Sequence, residues 1–85
     1  MEYKFQIASD VLRDGIGVEL IQVTDSARTV IAEVFRCDAE NTLQISLFSE
    51  SAPFVQIERL VLMARKELVS FEDGTPLPVA VELKV

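Results

Sequence analysis

The 85-residue sequence contains no histidine, no tryptophan and a single cysteine, Cys37. A closed structural zinc site needs a set of Cys and His ligands that this chain cannot supply, and one cysteine cannot form a disulfide within the chain. Small domains that lack both are often stabilised by oligomerisation. The sequence therefore predicts no cofactor and favours a homo-oligomer.

Long apolar runs and an excess of basic residues are also missing. No segment reaches the roughly 20 apolar residues of a membrane span, and the N-terminus lacks the apolar core of a secretory signal. The 14 acidic and 8 basic residues give a net charge of −6, which disfavours binding to nucleic acids and anionic membranes and suits a basic protein partner. Together with the unpaired cysteine, which is typical of a reducing compartment, these features predict a cytoplasmic protein.

Apolar residues, by contrast, are plentiful at 49%, which is at the high end for a soluble domain and argues against disorder. The length predicts one domain that spans residues 1–85. Because a chain this short fills only one small core, we expect apolar surface to be left over.

Five segments alternate between apolar and polar residues with the period of two that is typical of strands. The first four cover residues 3–8, 18–23, 29–37 and 42–48. Residues 9–17 contain two glycines and are interpreted as a turn, and residues 38–41 as a hairpin loop. The fifth segment, residues 79–85, predicts a terminal strand that pairs within its own chain or with a neighbouring chain.

Residues 53–70 read PFVQIERLVLMARKELVS and predict one amphipathic helix. Ser49 or Ser51 is the expected N-cap, and Pro53 suits the first turn. The order β-β-β-β-α-β predicts an α+β fold, with an antiparallel sheet of four or five strands and one amphipathic helix packed on one face. The predicted core consists of Phe5, Ile7, Val18, Leu20, Val30, Val34, Leu43, Ile45, Leu47, Phe54, Ile57, Leu60, Val61, Ala64, Leu68 and Val81.

Two sets of apolar residues exceed what this core requires. On the helix, a second stripe recurs every seven residues; it lies beneath the 70–78 loop or the terminal strand, forms a homodimer contact, or is a docking site or scattered exposed surface. On the sheet, the second and third strands are apolar on both faces, although one helix covers only one face. The predicted interaction residues are Val55, Leu62 and Val69 on the helix, and Ile21, Ile31 and Phe35 on the sheet.

Residues with catalytic potential are few. Cys37 follows Arg36 but has no histidine base in the chain, so it is interpreted as a small, half-buried structural residue. The carboxylate pairs Asp10/Asp14, Asp38/Glu40 and Glu72/Asp73 lie in turn-rich segments, where Asp caps backbone amides. No EF-hand or P-loop spacing occurs, and GIG in DGIGVE is interpreted as a pair of turn glycines. The sequence predicts no catalytic residue and no metal ligand.

The run TVIAEVFRCDAENTLQISLF, followed by a short amphipathic helix and FEDGTPLP, resembles small uncharacterised bacterial α+β proteins. The resemblance covers residues 15–77. It implies a bacterial origin, and some such proteins are encoded as single genes on mobile elements. Because no activity is attached to these proteins, the resemblance assigns no functional residue.

Three hypotheses about function follow. The first is a small acidic, non-enzymatic protein-interaction module that forms a homodimer and resembles an inhibitor, immunity protein or antitoxin in meeting a basic partner. The second is a small-ligand-binding protein with a pocket between helix and sheet or at a dimer interface. The third is an enzyme that uses loop carboxylates or Cys37.

Overall fold

The computed structural model describes residues 1–81, which form an α+β fold of four antiparallel strands in one open sheet and one helix. The elements are β1 (Glu2–Asp10), β2 (Gly15–Val23), β3 (Arg28–Cys37), β4 (Thr42–Leu47) and α1 (Phe54–Leu68). The strand order is β1-β2-β3-β4, so β1 and β4 are the edges. The α+β class and the four antiparallel strands are confirmed. Residues 79–81 form no strand, and residues 82–85 of the predicted terminal strand lie outside the described residues.

The helix packs over the two central strands. Leu60, Ala64 and Leu68 are buried against a cluster that includes Val18 and Leu20 of β2. A helix is about 10 Å across and strands are about 4.8 Å apart, so one helix covers only about two strands. Apolar side chains towards the sheet edges and on the flanks of α1 are therefore left uncovered.

This geometry corrects part of the predicted core. Six of the predicted core residues are exposed in the single chain: Ile7, Ile45, Leu47, Phe54, Val61 and Val81. Phe71, which the sequence placed in a loop after the helix, is buried instead. The core is thus narrower than predicted, and it extends into the segment that follows α1.

A β-bulge in β3 changes the face of the sheet on which Val30 and Ile31 lie. Leu20 pairs with Ala32 while Ile21 pairs with Val30, so Ile31 is an extra residue in the ladder. Ile31 joins the buried cluster beneath the helix, and Val30 lies beside Ile21 on the opposite face. The predicted alternation, which placed Val30 under the helix and Ile31 on the open face, is therefore wrong at these two residues, whereas Ala32 and Val34 lie in the core as predicted.

Gly15 and Gly17 lie within β2 and not in a turn, which corrects the interpretation of the GIG motif. The positive φ in the connection before β2 belongs to Asp14, at 52°. A Cβ at Gly15 would collide with the Arg36 carbonyl oxygen and the Phe35 ring, and a Cβ at Gly17 would lie 3.1 Å from a carboxylate oxygen of Glu33. These glycines are needed because β3 side chains pack closely over the β2 backbone.

The two ends of α1 are held differently. At the N-terminus, Pro53 is the N-cap and no side chain caps the helix; the Ser49 hydroxyl donates to the Ser51 carbonyl oxygen at 2.8 Å, so the predicted serine cap is wrong. At the C-terminus, Arg36 donates to the carbonyl oxygens of Leu68 and Ser70, each at 2.7 Å. An arginine on the last carbonyl groups stabilises the negative end of the helix dipole, and it fixes α1 to β3.

Candidate functional site

An uncovered apolar surface lies between the helix and the last strand. It contains Ile45 and Leu47 of β4 and Phe54 and Val61 of α1, which are 52%, 62%, 75% and 42% exposed. Ile45 and Leu47 share one face of β4 because they are two residues apart, and Phe54 and Val61 share one side of α1 because they are seven residues apart. We call these four residues the α1–β4 surface.

The surface includes a groove of about 210 Å³ between α1 and β4. Its walls are mainly apolar, and its ionisable lining residue is Arg65. The Arg65 guanidinium donates to the Pro78 carbonyl oxygen, and Leu77 lines the groove nearby. The lining residues are Val34, Leu43, Gln44, Ile45, Val61, Ala64, Arg65 and Leu77. The groove can receive apolar side chains or a small apolar ligand.

The predicted second stripe of the helix lies next to this surface. Val55, Leu62 and Val69 are 52%, 69% and 69% exposed, so the 70–78 loop does not cover them. Leu62 shares a shallow depression with Ile57 and Val61, which connects the stripe to the α1–β4 surface. The exposure of these residues is compatible with an interaction role, which stays a prediction.

The three predicted interaction residues on the sheet are placed differently. Ile21, Ile31 and Phe35 are at most 5% exposed. The bulge turns Ile31 into the core beneath α1, while Ile21 lies beside Val30 on the other face. The expected exposure of these residues is wrong, because neighbouring side chains within the same chain already cover them.

Phe35 is covered by an ion-pair cluster that the sequence did not predict. The Arg13 guanidinium carbon lies 3.9 Å from the centre of the Phe35 ring, within cation–π range. Arg13 also donates to both carboxylate oxygens of Glu33, at 2.9 and 3.0 Å, and to Asp10 at 2.6 Å. Glu33 is only 4% exposed, and such a buried charge requires a partner. Arg13 and Glu33 are 20 residues apart, so no local spacing signalled their pairing.

The carboxylates considered for catalysis are largely engaged in structural contacts. Asp10 accepts from the backbone amides of Leu12 and Arg13, and hydrogen bonding to Arg13 lowers its pKa below the ordinary 3.8. Asp73 accepts from Asn41 and from the Thr75 amide, and these bonds lower its pKa as well. Asp38 accepts from the Glu72 amide and pairs with Arg36. These contacts fix the turns in which the three aspartates lie.

Cys37 ends β3 and is half-buried. Its Sγ atom lies 3.8 Å from the carbonyl oxygen of Arg13, and its backbone pairs with Gly15 and Thr42. The thiol is thus within weak hydrogen-bonding distance of a backbone carbonyl group.

The remaining observations concern metals, membranes and known proteins. Residues 1–81 contain no group of three or more candidate ligands that could hold a metal ion, and no helix there has the length and apolar character of a membrane span. A scan against protein-family models found no match, and searches of curated proteins and of solved structures found none either. The resemblance to small bacterial α+β proteins and the cytoplasmic location stay predictions from the sequence.

Proposed function

We propose that this chain is a non-enzymatic protein-interaction module that acts as a homodimer, and that the α1–β4 surface binds the second copy. The observation that carries the proposal is the surface itself, with four large apolar side chains between 42% and 75% exposed. Contiguous exposed apolar surface is typical of protein interfaces.

The distribution of charge favours a second copy as the occupant. Each chain carries a net charge of −6, so two copies repel one another wherever acidic side chains meet. The β4 segment TLQISL has no charged residue, and the ionisable residue lining the adjacent groove is the basic Arg65. A basic partner would find no acidic group on β4. Self-association at this surface therefore reduces the repulsion that most of the molecule imposes, although Glu58 shares a depression with Val61 and Leu62.

The total surface area is large for a chain of this size. The accessible surface is 6157 Å², whereas a compact monomer of 9.5 kDa is expected to expose about 5,000 Å². The excess of about 1,100 Å² is comparable with the roughly 800 Å² that one partner buries in a standard interface. The exposed residues Val11, Leu12, Val79 and Val81 contribute to this excess, so only part of it lies at the α1–β4 surface.

A role as an inhibitor, immunity protein or antitoxin-like module rests on the net charge of −6, which attracts a basic protein. The acidic residues lie on several elements, and four of them line one cavity: Asp10, Asp14, Asp38 and Glu72. We place this partner on a homodimer, at surfaces other than α1–β4. The structural contacts of Asp10, Asp38 and Asp73 support a non-enzymatic role.

The proposal is tested by the mass in solution of the native protein and of Val61→Glu, measured by size exclusion with light scattering. We expect a native dimer and a folded Val61→Glu monomer, because the new carboxylate would be buried in the interface without a partner. Leu12→Glu is the matched control, since Leu12 is 98% exposed on the connection between β1 and β2; it should stay dimeric.

A second comparison separates the α1–β4 surface from the helix stripe. Leu62→Glu changes the residue next to Val61, about 100° further around the helix. Loss of the dimer in Leu62→Glu but not in Val61→Glu would place the interface on the stripe of Val55, Leu62 and Val69. A native monomer at all concentrations would overturn the homodimer proposal.

The alternative function is small-ligand binding, and the groove between α1 and β4 is the observation that favours it. Its volume of about 210 Å³ is below the range of about 300–1,000 Å³ that is usual for ligand pockets. Titration with a medium-chain fatty acid, followed by amide chemical shifts, tests this function. Saturable shifts at Leu43, Val61 and Leu77 would support it, whereas unchanged shifts would exclude this class of ligand.

A further inference from the structure

The two edges of the sheet differ in their protection against pairing with another chain. β1 carries the charged residues Glu2, Lys4 and Asp10, whereas β4 reads TLQISL, with no charge and no proline. The β3–β4 ladder also has no bulge. Charged side chains, prolines and bulges are the usual features that stop an edge strand from pairing. β4 is therefore the edge that is open to another strand.

The hydrogen-bond pattern identifies which backbone groups of β4 face outwards. The Phe48 amide donates to the Ile31 carbonyl oxygen at 2.9 Å. Hydrogen-bonded pairs alternate along an antiparallel ladder, so Ser46 and Gln44 also direct their amide and carbonyl groups at β3. Those of Leu43, Ile45 and Leu47 consequently point to the open edge. Within residues 1–81, no loop or turn backbone bonds to them.

The same three residues direct their side chains towards the face of the sheet that carries α1. Ile45 and Leu47 belong to the α1–β4 surface, and Leu43 lines the groove. Ile45 and Leu47 therefore present both outward backbone groups and an uncovered apolar side chain, whereas the side chain of Leu43 is partly buried against the core. A partner strand would both bond the outward backbone groups and cover the exposed side chains. Side-chain packing alone would leave the backbone groups without partners.

We infer that β4 pairs antiparallel with β4 of a second copy, about a two-fold axis at Ile45, to form one continuous eight-stranded sheet. The inference rests on the proposed function, because it specifies how the same surface binds its second copy. Centred on Ile45, the pairing places Leu43 opposite the partner's Leu47 and Ile45 opposite the partner's Ile45. This register uses the outward backbone groups of all three residues.

The symmetry brings the two apolar surfaces together. The two-fold axis of an antiparallel strand pair is perpendicular to the sheet, so both copies of α1 lie on the same face. The two copies of Ile45 meet at the centre, with Val61 of each chain flanking the new seam. Because β4 is uncharged, no like charges are placed directly opposite one another, which would destabilise the pairing.

The test uses a proline at the central position. The Ile45 amide points away from β3, so Ile45→Pro removes the two central intermolecular hydrogen bonds and leaves the β3–β4 ladder intact. We expect a folded protein whose dimer dissociation constant is weakened about tenfold or more. Ile45→Val retains the amide and should dimerise like the native protein. Gln44→Pro removes an amide that faces β3, so it should unfold the hairpin.

Amide hydrogen exchange of the native protein provides a second measurement that needs no variant. The amides of Leu43, Ile45 and Leu47 should become protected as the protein concentration rises through the dimer dissociation constant. A native dimer that keeps these amides in fast exchange, with Ile45→Pro equally dimeric, would overturn the strand pairing and leave the proposed homodimer intact. A native monomer would overturn both.

One further outcome would also overturn the inference. The predicted fifth strand, residues 79–85, is another possible occupant of the β4 edge. If protection of Leu43, Ile45 and Leu47 does not depend on concentration and is lost when residues 79–85 are deleted, then the chain's own C-terminal segment covers the edge. Retention of the dimer and of concentration-dependent protection after the deletion supports pairing between the two β4 strands.

Discussion

At the residue scale, Val69, the C-cap of α1, has an unusual backbone conformation with a positive φ. Its φ of 53° and ψ of −73° lie close to those of the classic γ-turn, which is rare and strained, and its side chain is β-branched. The side chain is 69% exposed, so burial does not offset the strain. Arg36 instead holds the carbonyl groups on either side, those of Leu68 and Ser70.

Val69→Gly should therefore stabilise the protein. Relief of the backbone strain outweighs the greater chain entropy of glycine in the unfolded state, and we expect the free energy of unfolding to rise by about 1 kcal/mol. Chemical denaturation of the variant and the native protein measures this change. Leu62→Gly, in the middle of the helix, is the control and should lower the free energy of unfolding by about 1 kcal/mol. A loss of stability in Val69→Gly would contradict the assignment of strain.

The lowered pKa values of Asp10 and Asp73 should make the free energy of unfolding depend on pH. Hydrogen bonds from Arg13 and Asn41, respectively, lower their folded pKa values below the ordinary 3.8. As the pH falls, the unfolded state therefore binds more protons than the folded state. The stabilisation from these two carboxylates is fully present above their unfolded pKa, and it is lost as the pH falls through their lower folded pKa. Urea unfolding from about pH 5 to about pH 2 should show this loss. The double variant Asp10→Asn/Asp73→Asn should show a flatter profile, and an unchanged profile would contradict the assignment.

At the element scale, the periodic patterns of apolar residues predicted the strands and the helix. Alternation located all four strands, although β1 extends to Asp10 and β2 begins at Gly15. It failed at the bulge because nothing in TVIAEVF marks an extra residue, and a shift of one position moves a side chain to the other face. The absence of a charge in TLQISL was visible in the sequence, but its position at a sheet edge was not.

The apolar stripe of the helix located Leu60, Ala64 and Leu68 correctly, but it did not show how wide the sheet beneath them is. Phe54 and Val61 were therefore assigned to the core, although they lie on the α1–β4 surface. Placing Phe54 and Val61 correctly requires the strand order, because only the order shows that α1 does not cover β4. The helix was thus predicted correctly, but two of the four residues of the α1–β4 surface were assigned to the core.

The Arg13–Glu33 pair connects two elements, since it fixes the β1–β2 connection to β3. Arg13→Ala leaves Glu33 buried without a partner, and we expect a loss of about 1–3 kcal/mol in the free energy of unfolding. Adding Glu33→Leu to Arg13→Ala should restore part of that loss, so a double-mutant cycle should give a coupling energy of about 1 kcal/mol or more. Arg59→Ala, on the exposed side of α1, is the control and should change stability by less than about 0.5 kcal/mol. Additive effects in the cycle would show that the pair is not coupled.

At the scale of the whole molecule, the shape is broader than that of a compact small domain. The radius of gyration is 13.7 Å, compared with about 12 Å expected for 85 residues. The principal extents of 41, 41 and 20 Å describe a flat body. A second copy paired along β4 would place a helix on each side of the uncovered strands, and the shared core would then be continuous across both chains.

A homodimer couples stability to protein concentration, because the unfolded chains are separate whereas the folded chains are paired. We expect the midpoint of thermal unfolding to rise by about 3–5 °C for each tenfold increase in concentration, given the small unfolding entropy of a domain of this size. Differential scanning calorimetry of the native protein and of Val61→Glu measures this dependence. The midpoint of Val61→Glu should not vary with concentration, since the variant is expected to be monomeric. A native midpoint that is equally independent of concentration would show that the α1–β4 surface makes no contribution to the folded state through a second copy.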